Sequence, residues 1–225
     1  MILCIETSSH NCSVALVNEQ GVTAIREFRP DSGYGHAESL HVFIHEMMLS
    51  SGVQLRSLDA VAVSKGPGSY TGLRIGVSAA KGFCHGLDIP LISVDTLLMM
   101  AESVKTIHQA DYFVPMIDAR RMEVYTSSYD ASLNLISPID AIVLDDTFFK
   151  IKEGKVLVFG EGSDKAIDIF PMNYEFLPGV YPSAGMMANQ AWTKWALQNF
   201  EDTAYFEPYY LKEFIAGKPS VKKEG

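Results

Sequence analysis

Cysteine is scarce. The chain has three in 225 residues, Cys4, Cys12 and Cys84, and no C-x-x-C among them. That spacing offers neither a zinc ribbon nor a redox pair, and a reducing cytosol is the expected compartment. Cys4 and Cys84 have apolar neighbours and read as small core residues, whereas Cys12 reads as part of a polar turn. Long apolar runs are missing as well; none approaches the ~18 residues of a membrane-spanning helix. The opening Met1–Ile5 lacks a basic n-region and meets Glu6 at once, so no secretory signal is expected. Basic residues are outnumbered, with 18 Lys and Arg against 27 Asp and Glu and a net charge of −9. Gripping nucleic acid unaided usually takes a basic patch, so direct RNA binding is not expected. The P-loop, H-E-x-x-H and G-x-S-x-G signatures are absent too.

What is present is organised around Lys65-Gly66-Pro67-Gly68-Ser69-Tyr70-Thr71-Gly72-Leu73-Arg74-Ile75-Gly76. A short apolar run, Ala60–Val63, precedes it and predicts a strand buried on both faces. A small-residue helical pattern, Leu73–Leu87, follows. Gly66 and Gly68 are expected at positive φ, with Pro67 fixing its own φ between them. Ser69 or Thr71 is the candidate N-cap. Two readings stand for Gly66, Gly68, Ser69, Thr71 and Gly72. They form a tight strand-to-helix turn, or a helix N-terminus open to an anion.

Around this segment the pattern reads strand, strand, strand, helix, strand, helix, and then repeats. The first half predicts strands at Ile2–Ile5, Ser13–Val17 and Val22–Phe28. It then predicts a helix over His36–Ser51 stopped by Gly52, the central strand, the Leu73–Leu87 helix, a strand Pro90–Val94 and a helix from an Asp95 or Thr96 cap to His108. The second half predicts strands at Tyr112–Ile117, Met122–Tyr129, Leu133–Ile136 and Val156–Phe159. Helical patterns are expected near Asp145–Lys152, Lys165–Phe170 and Ser183–Phe200, and a frayed tail from Gly217. With 48% hydrophobic residues, two lobes, 1–108 and 109–225, can each hold a core.

Both helices flanking the glycine segment carry two apolar stripes on a helical wheel. In the first, Leu40, Phe43, Ile44 and Met47 form one stripe, while Val42, Leu49 and Val53 fall opposite. In the second, Leu73, Gly76, Val77, Ala80 and Cys84 form one, and Ile75, Ala79 and Phe83 the other. One sheet cannot cover both. The expected partner surface is assigned to His36, Leu40, Phe43, Ile44, Met47, Leu73, Gly76, Val77 and Ala80. The alternative is that the helices are buried within their own chain.

Ile5-Glu6-Thr7-Ser8, the Gly66–Gly76 segment, Asp118-Ala119-Arg120 with Glu123-Val124-Tyr125, Gly160-Glu161-Gly162 and Pro208-Tyr209-Tyr210-Leu211 occur in this order. Together they resemble the TsaB (YeaZ) family of tRNA threonylcarbamoyladenosine biosynthesis subunits, over nearly the whole chain. The resemblance implies an α/β, two-lobed actin/sugar-kinase/Hsp70-like (ribonuclease-H-like) fold with a βββαβα repeat. It implies a non-catalytic scaffold that pairs with TsaD, and through it TsaE, for threonylcarbamoyl transfer to the adenosine next to the anticodon. It implies no cofactor on this chain, with ATP and a divalent metal on the partner subunits. It also implies tRNA bound through the complex, a homodimer in isolation, and no membrane.

Chemistry of the chain's own has three candidate seats. His41 and His45, at i and i+4, can share a helix face as metal ligands do. They precede the glycine turn, whereas the resemblance places the paired histidines of TsaD after it, so no metal site is assigned. Glu6, Asp118, Arg120, Gly160 and Gly162 lie where kinases of this fold cradle phosphates and magnesium. Yet the first turn lacks glycine and Ala119 and Arg120 crowd the second. There the carboxylates either hold magnesium or satisfy turn N–H groups. Beside the scaffold, a nucleotide-dependent ATPase or kinase and a metallopeptidase-like enzyme are the alternatives.

Overall fold

The first and second halves of the chain build sheets of one strand order. A computed structural model describes residues 1–29, 35–145, 148, 150–151 and 153–212. Strands β1 (Ile2–Glu6), β2 (Cys12–Asn18), β3 (Gly21–Phe28), β4 (Ala60–Gly66) and β5 (Leu91–Asp95) lie as β3-β2-β1-β4-β5. Strands β6 (Tyr112–Asp118), β7 (Glu123–Asp130), β8 (Leu135–Val143), β9 (Val156–Phe159) and β10 (Tyr174–Leu177) lie as β8-β7-β6-β9-β10. The first strand of each sheet pairs antiparallel with the second and parallel with the fourth. The two orders match strand for strand, which gives the expected two-lobed α/β fold.

Successive side chains of a strand point to opposite faces, and that alternation sorts the first core. Leu3, Ile5, Val14, Leu16, Val61 and Val63 face helices α1 (His36–Ser51) and α2 (Tyr70–Leu87). Ile2, Cys4, Ala15, Val17, Ala60 and Ala62 face the other way, onto Met187 and Ala191. Helix α4 (Ala188–Ala196) and the 3-10 helix before it (Ala184–Met187) supply that cover. Helix α3 (Thr96–Lys105) instead covers the second sheet, setting Leu97, Met100 and Ala101 against Phe113, Ile117 and Leu157. The first half of the chain therefore lends α3 to the second sheet, and the second half lends α4 to the first. A sheet with two apolar faces needs cover on both, and one lobe's own helices do not supply it.

Several details differ from the sequence expectation. Cys12 begins β2 and is buried, because the turn before it is itself buried. Helix α2 starts at Tyr70, three residues earlier than its apolar pattern. Ser69 accepts from the Gly72 N–H as N-cap, and Thr71 sits exposed in the first turn. Asp95 caps α3 by accepting from the Leu98 N–H at 3.0 Å, but that helix stops at Lys105. Strand β8 runs on to Val143, because its partner β7 continues beside it. Strand β10 had no expectation. The C-terminal helix ends at Ala196 rather than Phe200, where the backbone turns left-handed at Gln198. The second lobe has a 3-10 helix, Ser163–Ile169, in place of an α-helix. The helix expected over 145–152 lies partly outside the described residues, and the tail from Gly217 wholly so.

Candidate functional site

The glycine segment closes on the turn after β1. Gly66 has φ +102°, as expected, but Gly68 has an ordinary backbone and is required for space. A methyl at Gly68 would overlap the Ser8 carbonyl, one at Gly72 the Thr7 carbonyl, and one at Gly76 the Thr7 hydroxyl. Gly72 and Gly76 fall one turn apart on α2, so they line one face with Gly68 just ahead of it. Against that face the Ser69 N–H donates to Ser8 O at 2.7 Å. The Thr7 hydroxyl donates to Gly72 O at 2.8 Å. Glu6, Thr7 and Ser8 are fully buried. The N-terminal turn of α2 thus holds the chain's own β1–β2 turn where an anion would need to sit.

The facing turn of the second lobe is also occupied. Asp118 Oδ1 accepts from the Arg120 N–H at 2.5 Å and from Lys165 Nζ at 2.7 Å, and Lys165 donates again to Glu123 O at 2.8 Å. Arg120 and Arg121 both take left-handed backbone, at φ 67° and 51°. Gly160 (φ +103°) and Gly162 lie against the Met116 and Ile117 carbonyl groups, and the Gly162 N–H donates to Met116 O at 3.0 Å. Across the cleft His10 Nδ1 meets Glu161 Oε2 at 3.2 Å. Burial pushes the Glu161 carboxyl up, partly offset by His10. Burial pushes Glu6 up to about 7, against hydrogen bonds from Ser8 and Ser64. These residues do not fit a nucleotide phosphate, since side chains and carbonyl groups fill both turns. Among the described residues no group of three His, Cys, Asp or Glu is placed to hold a metal ion.

The paired helices are open where these turns are closed. The residues assigned to a partner surface need correction, because the sheet claims most of them. Leu40, Ile44, Met47, Leu73, Gly76, Val77 and Ala80 are buried against the first sheet or the β1–β2 turn, and Phe43 is partly buried. His36 is buried, with Nε2 2.7 Å from Ser9 O, and burial lowers its pKa. The opposite stripe is the accessible one. Ala37, His41, Arg74, Ile75, Ser78, Ala79, Gly82 and Phe83 line a groove of about 720 Å³ between α1 and α2. His41 and His45 are both exposed, and the His41 ring lies 6.1 Å from that of Phe83. On α2 the groove takes the second stripe of the wheel, Ile75, Ala79 and Phe83, but on α1 it takes Ala37 and His41, which lie in neither stripe, while Val42 and Leu49 are exposed away from it.

A family model described as "TsaD: tRNA N6-adenosine threonylcarbamoyltransferase" matches residues 31–175. The tRNA threonylcarbamoyladenosine biosynthesis protein TsaB of Bacillus subtilis is 32% identical over 169 residues, 74% of this chain and 72% of that one. The chain belongs to the TsaB family. TsaB of Haemophilus influenzae is 39% identical over 126 residues, and TsaB of Escherichia coli 37% over 133. These matches cover 56% and 59% of this chain, and about half of those two relatives, 52% and 56%. The solved structure of YeaZ from Pseudomonas aeruginosa shares the fold, with a TM-score of 0.80 and 24% identity over 93% of this chain and 99% of that one.

Proposed function

We propose that the chain is a non-catalytic scaffold subunit in tRNA threonylcarbamoyladenosine biosynthesis. It pairs with TsaD through the α1–α2 groove, and through TsaD with TsaE, for threonylcarbamoyl transfer to the adenosine next to the anticodon. The observation that carries this reading is the contrast between the two faces of α2. One face is sealed by Thr7 and Ser8 of the β1–β2 turn, which occupy the N-terminal turn where an anion would otherwise sit. The other presents Ile75, Ala79 and Phe83 beside His41 on an open groove. Two helices with small residues at their contact can meet two helices of a paralogue at close range. The same face accepts a copy of itself, so a homodimer competes when TsaD is absent. The chain needs no cofactor; ATP and a divalent metal belong to the partner subunits. Its charge of −9 leaves tRNA to the complex, and its compartment is the cytoplasm. Reconstituted transfer to tRNA, with TsaC, TsaD and TsaE of one host, tests the reading. Transfer should require this chain and should track its co-elution with TsaD. Full transfer without it would overturn the proposal.

A further inference from the structure

Residues 201–212 run along the first lobe and end on the second. Glu201 begins the run by donating its N–H to Leu91 O at 2.9 Å, at the end of the first sheet. Lys81 of α2 then donates to Ala204 O at 2.9 Å and to Phe206 O at 3.2 Å, and Phe206 packs on the core beneath α1 and α2. The Tyr209 N–H donates to Lys65 O at 2.7 Å, directly before the glycine turn. The Tyr210 ring lies 4.8 Å from that of Tyr70. Two residues later the chain has changed lobes. The Lys212 ammonium pairs with the Glu123 carboxylate and sits 5.7 Å from the Tyr125 ring, both on β7.

This path joins the glycine turn of one lobe to the start of β7 in the other, next to the β6–β7 turn. Lobes that exchange α3 and α4 can rotate about those shared helices, as hinged two-lobed proteins do. A tie between these two places opposes that rotation. A part-exposed ion pair holds two bodies together weakly when its lysine is free to wander. Here the residues just before Lys212 are already fixed by backbone hydrogen bonds and a tyrosine pair, so little chain freedom is left for the ion pair to remove. We propose that residues 201–212 are a latch that holds the two lobes in one relative orientation. It stands whether or not the chain pairs with TsaD.

The test uses the full chain with cysteines introduced at exposed Glu19 and Ser132, one on each lobe, carrying spin labels for a pulsed distance measurement. The native thiols are buried and stay unlabelled. Wild-type protein should give a single narrow distance distribution. Lys212→Glu sets like charges against each other at Glu123, and a second variant ends at Glu207. In both, with the circular dichroism spectrum unchanged, the distribution should widen about two-fold. Wild-type width in folded Lys212→Glu would overturn the latch. Should the shortened chain fail to fold, Lys212→Glu alone decides, since it alters only the contacts of one part-exposed side chain with Glu123 and Tyr125.

Discussion

Glu6 ends β1 with its whole side chain out of water, so the cost of charging it sets its behaviour. Its carboxyl is raised from 4.5 to about 7, by burial first and by Glu161 least. The sign follows from linkage. Between those values the folded chain keeps a proton that the unfolded chain has lost. The stability this proton carries is full below about 4.5 and is lost as pH rises through about 7. Glu6→Gln, which still offers Ser8 an acceptor, should remove that loss. Urea unfolding at pH 5 and pH 8 should show wild type losing up to about 3 kcal/mol relative to Glu6→Gln over the interval. Parallel pH profiles for the two proteins would mean that Glu6 ionises as freely folded as unfolded. Gly68 teaches a related lesson. Its identity suggested a positive φ, whereas the carbonyl group of Ser8, sixty residues away in sequence, is what excludes a side chain.

Among the elements, α2 is the most constrained. It presents glycines to the β1–β2 turn, Leu73, Val77 and Ala80 to the sheet, and Ile75, Ala79 and Phe83 to the groove. Neighbouring alanines therefore have opposite roles. Ala80→Arg drives a charge into the core, and large loss of fold is expected. Ala79→Arg places the same side chain at the groove, where it can reach solvent. It should leave the melting temperature nearly unchanged while weakening TsaD pairing by about 2 kcal/mol, roughly thirty-fold in Kd. Thermal melts and a titration by calorimetry read both effects. Tight pairing by a folded Ala79→Arg protein would move the interface off these helices.

At the scale of the molecule, the closed turns bear on catalysis. With Ser8 over the α2 terminus and Lys165 on Asp118, the chain alone should hydrolyse ATP far below about 1 per second. A multiple-turnover assay that reached that rate, and lost it in Asp118→Ala, would restore the kinase reading.

The succession of strands and helices along the chain and its repeat, Ser69 as one of two candidate caps, the stop at Gly52 and the segments that carry the family likeness were legible in the chain. They rest on local alternation, caps and left-handed turns, which a residue and its near neighbours decide. Three things were not legible. The choice between the two apolar stripes of α2, and the part Ala37 and His41 of α1 take in the groove, depend on how the two helices meet the first sheet and each other. The exchange of α3 and α4 between lobes depends on which sheet face lacks cover. The path of residues 201–212 depends on Lys65, Tyr70 and Glu123, each distant in sequence. Such contacts have no period to read, because they form only when separate segments already stand side by side.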